Sequence, residues 1–89
     1  MLREEVTVTN PKGIHARPSA MIVRTAEEQD SAIRFTFNGE TIDATNIMDV
    51  LSLGVAYGET VVVEVEGGEE ARAMERMKEI FALNFNDDD

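Results

Sequence analysis

Apolar positions along the chain change period several times, and each change marks an element. Val6 and Val8 alternate with Thr7 and Thr9 at the period of two of a half-buried strand, and Asn10-Pro11-Lys12-Gly13 then reads as a turn. The first strand is therefore expected over about residues 4–9. The period then lengthens. Ala20, Ile22, Val23 and Ala26 recur with helical spacing, and Pro18 suits a first turn that has no use for its missing amide, so a helix is expected over about residues 16–28. Ala32, Ile33, Phe35 and Phe37 lead into Asn38-Gly39, a specific signal for a two-residue hairpin, from which Thr41, Ile42 and Asp43 return antiparallel. Thr45-Asn46 offers an N-cap to a short apolar helix carrying Ile47, Met48, Val50, Leu51 and Leu53, with Gly54 as its stop. Val61, Val63 and Val65 alternate with Val62, Glu64 and Glu66 in a fourth strand that ends at Gly67-Gly68. Ala71, Met74, Met77, Lys78 and Phe81 then mark a third helix. The ending, Asn84 to Asp89, is acidic and expected to fray.

The order is β-α-β-β-α-β-α. With a hairpin after the first helix, the economical solution is an α+β open-faced two-layer sandwich: a four-stranded antiparallel sheet with three helices on one face and solvent on the other. Eighty-nine residues, 43% of them hydrophobic, make a single domain over residues 1–89 with an acidic tail at 86–89. The absence of cysteine excludes disulfides, thiolate metal sites and a cysteine nucleophile, and fits a reducing compartment, so a cytoplasmic location is expected. No apolar run approaches the ~18 residues that span a bilayer, and Met1 to Asn10 lacks the basic start and apolar stretch of an export signal.

Charge narrows the partners. Eighteen acids against eight bases give a formal net charge of −10, which repels nucleic-acid phosphates and anionic membranes, so neither is an expected partner. The distribution is uneven. Residues 1–24 hold Arg3, Lys12, Arg17 and Arg24 against only Glu4 and Glu5, which leaves the remaining four bases to offset the other 16 acids. The excess positive charge thus surrounds the sole histidine, His15.

Gly13-Ile14-His15-Ala16-Arg17-Pro18 lies where the first strand hands over to the first helix. The helix start at Ala16, Arg17 and Pro18 directs amides and the positive end of the dipole to the volume beside His15. Arg17 can fork two hydrogen bonds to an oxyanion, and Gly13 lets the backbone approach closely. A phosphoryl group on the imidazole would be stabilised there, which suits His15 to act as a nucleophile. Taken alone, a histidine beside arginine and proline at a helix start reads more often as a cap or a surface residue.

The wider pattern changes that balance. Gly-Ile-His-Ala-Arg-Pro-Ser-Ala, residues 13–20, resembles the active-site signature of the histidine-containing phosphocarrier family, HPr, of the bacterial phosphoenolpyruvate-dependent phosphotransferase system. The resemblance extends to the length, the order of elements, the start Val-Thr-Val-Thr-Asn-Pro and the stretch Asn-Ile-Met-Asp-Val-Leu-Ser-Leu-Gly, residues 46–54. It implies that His15 accepts a phosphoryl group on Nδ1 from a phosphohistidine of enzyme I and passes it to a histidine of an EIIA-type protein. Arg17 would stabilise the charge in transit. The chain would be a carrier and co-substrate instead of an enzyme, a monomer needing no metal or organic cofactor. The family's first strand lies beside its fourth. Its partner face combines the start of the first helix with the second, which implies contacts from Ala20, Met21, Arg24, Ile47, Met48, Leu51 and Ser52 here. Met21 and Met48 suit a surface that meets several partners. Ile47 and Leu51, four apart on an apolar helix, read equally well as core.

The sequence departs from the family pattern in places. Asn46 stands where many relatives carry a regulatory serine, so no regulatory site is expected, and Asn46 reads as a helix cap. Asp49 and Glu27 add negative charge near the docking face and weaken attraction to an acidic partner. The ending from Phe81 to Asp89 is similar to the nitrogen-related branch of the family, which relays phosphate for regulation instead of sugar uptake. The alternative reading is a regulatory protein-binding module of the same fold that does not relay phosphate to a transporter. A metal-dependent hydrolase is a weak third, because Asp87 to Asp89 lie in a terminal tail and one histidine does not assemble a typical transition-metal site.

Overall fold

The computed structural model describes residues 1–86. Its elements are β1 (Leu2–Thr7), α1 (Ala16–Glu28), β2 (Ala32–Phe37), β3 (Glu40–Asp43), α2 (Ile47–Leu53), β4 (Thr60–Glu66) and α3 (Glu70–Ala82), followed by a short turn of helix at Asn84–Asn86. The four strands form one antiparallel sheet in the order β1-β4-β2-β3, which places the first strand beside the fourth. The expected open-faced α+β sandwich is the observed fold.

The alternation in each strand decides which side is which. Val61, Val63 and Val65 of β4 and Ile33 and Phe35 of β2 point to the helices and are buried, together with Ile22 of α1, Val50 of α2 and Met74, Met77, Ile80 and Phe81 of α3. Each such side chain contributes about 1.5–3 kcal/mol relative to an exposed one. The other face is wet and held by cross-strand polar pairs. Thr7 faces Thr60 with hydroxyl oxygens 3.0 Å apart, Thr36 faces Thr41 at 2.8 Å, and Arg34 reaches Glu66 at 3.0 Å and Glu64 at 3.7 Å. Asn38 and Gly39 both have positive φ, at 54° and 80°, as a tight turn matched to the strand twist requires.

Two expectations are corrected. The first strand starts at Leu2 and ends at Thr7, where the expected span was residues 4–9. Glu4 interrupts the apolar rhythm, yet it sits on the helix side of the strand, where its Oε1 accepts from Lys78 Nζ of α3 at 2.7 Å. Val8 leaves the strand but stays buried, bonded through its amide and carbonyl to Glu59 and Gly58.

The second correction concerns the ending. Asn84–Asn86 do not fray: they form a turn with consecutive φ values of 52°, 58° and 55°, and Phe85 within it is buried. Asparagine tolerates this left-handed region, but phenylalanine there costs about 1–2 kcal/mol. Burial of the ring, worth about 1.5–3 kcal/mol, and its edge-to-face packing on Phe81 at 4.9 Å offset that strain. Residues 87–89 lie outside the described residues.

Candidate functional site

The approach to His15 is built by a buried asparagine and a glycine. Asn10 is fully buried. Its Nδ2 donates to the Gly13 carbonyl at 2.8 Å, and its own carbonyl accepts from the Gly13 amide at 2.9 Å, so side chain and backbone close the turn together. Gly13 has a φ of 70° and presses on the segment before β4: a Cβ there would lie 2.6 Å from the Val55 carbonyl oxygen. The next residue bonds to the same oxygen, Ile14 N donating to Val55 O at 2.9 Å, with the Ile14 side chain buried.

Chain direction is therefore fixed just before His15, which occupies the N-cap position of α1 in an extended conformation. Its carbonyl accepts from Ser19 N at 2.9 Å, starting the helix, while its half-buried side chain makes no capping bond. A helix start leaves its first amides without intrahelical acceptors, and Pro18 has none to offer, so Ala16 and Arg17 supply the amide donors of this end. Ala16 and Arg17 are exposed, whereas Pro18 and Ser19 are buried against the core and anchor the turn. The head of α1 thus carries an imidazole, two backbone amides and a guanidinium within residues 15–17, groups of the kind that suit a phosphoryl oxyanion.

The residues assigned to partner contact divide between two helices that pack on each other. Arg17, Ala20, Met21 and Arg24 follow one ridge of α1 and line a small cleft of about 230 Å³, closed on its other side by Phe85 and Asn86. On α2, Ile47 and Met48 are 40% and 68% exposed, Ser52 is exposed and Leu51 is half-buried. Ile47 is thus surface and not core, and the core side chains of this helix are Val50 and Leu53. The larger cleft, about 880 Å³, lies elsewhere, between the end of α1 and α3, and is crowded with carboxylates such as Glu28, Asp30 and Glu75.

Asn46 caps α2, its Oδ1 accepting from Asp49 N at 3.2 Å, and Asp49 places its carboxylate in the first turn, where the helix dipole favours it. The hydroxyls nearby are engaged: Thr45 Oγ1 donates to Asp43 Oδ1 at 2.7 Å and Ser52 Oγ to the Met48 carbonyl at 2.7 Å. The Thr45 amide and then its hydroxyl hold the Asp43 carboxyl below its ordinary range, with a smaller pull from Arg34. Asn10, Val55 and Phe85 are the site residues that sequence reasoning missed. Asn10 carried a signal, since an asparagine opening a Pro-Lys-Gly turn is a frequent side-chain clamp.

Fold and helix start together define a class: an open-faced sandwich that presents a histidine and an arginine at the head of its first helix. The family model described as the PTS HPr component phosphorylation site matches residues 2–82. The phosphocarrier protein HPr of Xylella fastidiosa (strain Temecula1) is 36% identical over 88 residues, 99% of either chain, and that of Chlamydia muridarum 34% identical over 80 residues, 90% of this chain and 77% of the other. The crystal structure of HPr-C-His from Thermoanaerobacter tengcongensis superposes with a TM-score of 0.93 at 31% identity, covering 99% of each chain. The chain belongs to the HPr family of phosphocarrier proteins, and its function is that of an HPr phosphocarrier. Among the described residues no helix is long and apolar enough to cross a membrane.

Proposed function

We propose that His15 is the residue that carries the phosphoryl group and that the chain works as one domain, a cytoplasmic monomer turning over no small molecule alone. His15 Nδ1 attacks the phosphorus of a phosphohistidine on enzyme I. The new N–P bond forms as the donor's N–P bond breaks in line, and the reverse exchange delivers the group to a histidine of an EIIA-type protein. No proton or electron needs a further acceptor. Such a transfer depends on positioning and charge neutralisation more than on acid–base chemistry, and needs no cofactor. The Ala16 and Arg17 amides and the Arg17 guanidinium would hold the phosphoryl oxygens. Ala20, Met21 and Arg24 of α1 and Ile47, Met48, Leu51 and Ser52 of α2 would form the face that both partners use in turn, with Met21 and Met48 adapting to each.

The observation that carries this reading is the placement of His15 at the N-cap of α1, on a turn pinned to Val55, with exposed Arg17 two residues on. The test is intact mass after incubation with phosphoenolpyruvate and enzyme I, with the His15→Ala protein alongside. The expected result is a single acid-labile phosphoryl adduct on the wild type and none on the variant. No adduct on the wild type, with enzyme I shown to be active, would overturn it.

A further inference from the structure

We propose that the exposed ridge of α1 is a bipolar docking strip, which enzyme I meets with carboxylates opposite Arg17 and Arg24 and with basic side chains opposite Glu27 and Glu28. This rests on the reading that enzyme I charges His15.

Charge along α1 runs against the helix dipole. Its first turn holds Arg17 and no acid, and its last turn holds Glu27 and Glu28 and no base. The positive N-terminal end of a helix favours acids and the negative C-terminal end favours bases, so both placements oppose helix stability. By contrast, α2 and α3 place Asp49 and Glu70 in their first turns, as the dipole prefers. At the head of α1 the phosphoryl site accounts for Arg17. Nothing within the chain accounts for the tail: Glu27 and Glu28 are exposed, and among the described residues neither carboxylate is in an ion pair.

Their position on the ridge gives these acids a use. Arg17, Ala20, Arg24, Glu27 and Glu28 recur at helical spacing, with Ile22, Thr25 and Ala26 on the buried side, so the four charges share the exposed stripe. At about 1.5 Å per residue the stripe from Arg17 to Glu28 is about 17 Å long, and it begins two residues from His15. A protein that brings its own histidine in line with His15 covers much of that length, because an interface of about 800 Å² a side reaches roughly 16 Å from its centre. The change of sign between Arg24 and Glu27 then gives recognition a direction. A partner with the matching order of charges is accepted in one orientation along the helix, and a partner acidic throughout is repelled at the tail.

The test is phosphoryl transfer to the full chain from enzyme I of the same organism, charged with phosphoenolpyruvate and kept below saturation. It is run at low salt and at about 0.5 M, where the screening length falls to about 4 Å. The double variant Glu27→Gln/Glu28→Gln should slow the second-order rate about threefold at low salt, and Glu27→Lys/Glu28→Lys about tenfold, both returning to within about twofold of the wild type at high salt. Thermal midpoints should move the other way and rise, because the conflict with the dipole is relieved, so the slowing is not a loss of fold. Glu5→Gln/Glu40→Gln removes the same charge from two exposed strand positions and should leave the rate within about twofold. Acceleration at low salt would reveal a partner surface acidic throughout and overturn the proposal. So would an unchanged rate, slowing that persists at high salt, or equal slowing by the control pair. Failure of the underlying reading is recognised separately, since the wild type itself would then take no phosphoryl group.

Discussion

Gly13 shows how much of a site can depend on an absent side chain. Its φ is positive and a Cβ would meet the Val55 carbonyl at 2.6 Å, so Gly13→Ala forces the turn away from the segment that also receives the Ile14 amide. The expected cost is about 2 kcal/mol or more in urea unfolding, with a fall in transfer rate because His15 is the second residue beyond the displaced point. Ser19 makes the opposite case. It is fully buried in α1 and, among the described residues, its Oγ has no hydrogen-bond partner. Ser19→Ala removes a desolvated hydroxyl and improves helix propensity, so the urea midpoint should rise by the equivalent of about 1 kcal/mol; a loss of stability would mean that the hydroxyl is satisfied. At this scale the sequence displayed the chemistry plainly, because Gly13, His15, Arg17 and Pro18 are adjacent. It did not display Val55, far along the chain from Ile14, whose carbonyl sets the direction of approach.

Helix α2 shows what local rules capture and where they stop. Asn46 as cap and Gly54 as stop were both legible, since each acts within a turn of its own position, and Gly54 has the left-handed φ of 64° that such a stop uses. Asn46→Ala should cost about 1 kcal/mol in thermal or urea unfolding and selectively loosen α2 in amide exchange. The residues leading into that helix give a pH dependence. The Asp43 carboxyl is depressed by the Thr45 amide and hydroxyl, so it contributes stability that is present above the ordinary aspartate range and is lost as pH falls through its lower folded value. Asp43→Asn should therefore flatten part of the acid limb of the stability curve below about pH 4, with the remaining slope left to other depressed carboxyls such as Glu70. Whether Ile47 faced core or solvent was not legible. Both faces of a two-turn apolar helix carry hydrophobic residues, and only packing against α1 and β3 selects Val50 and Leu53 for the interior.

Over the whole molecule the dominant fact is the formal charge of −10, with 16 of the 18 acids lying beyond residue 24 in the sequence. Self-repulsion among these acids opposes the compact state, while exposed pairs such as Arg72–Glu69 return little. Moderate salt should therefore raise the thermal midpoint by a few degrees; a fall would mean that the ion pairs outweigh the repulsion. The same contrast of scale divides what each source of information decided. The sequence by itself determined the order of elements, the two faces of β4, the hairpin at Asn38-Gly39 and the histidine–arginine pair, because alternation, turn chemistry and adjacency are properties of a few neighbouring residues. Only the tertiary structure decided that Glu4 lies on the helix side of the sheet to meet Lys78, that Asn10 is buried as a clamp, and that Phe85 folds back into the core. These side chains lie in stretches whose polarity predicts strand edge, turn and tail. Their places are set by partners distant along the chain, which a local pattern does not contain.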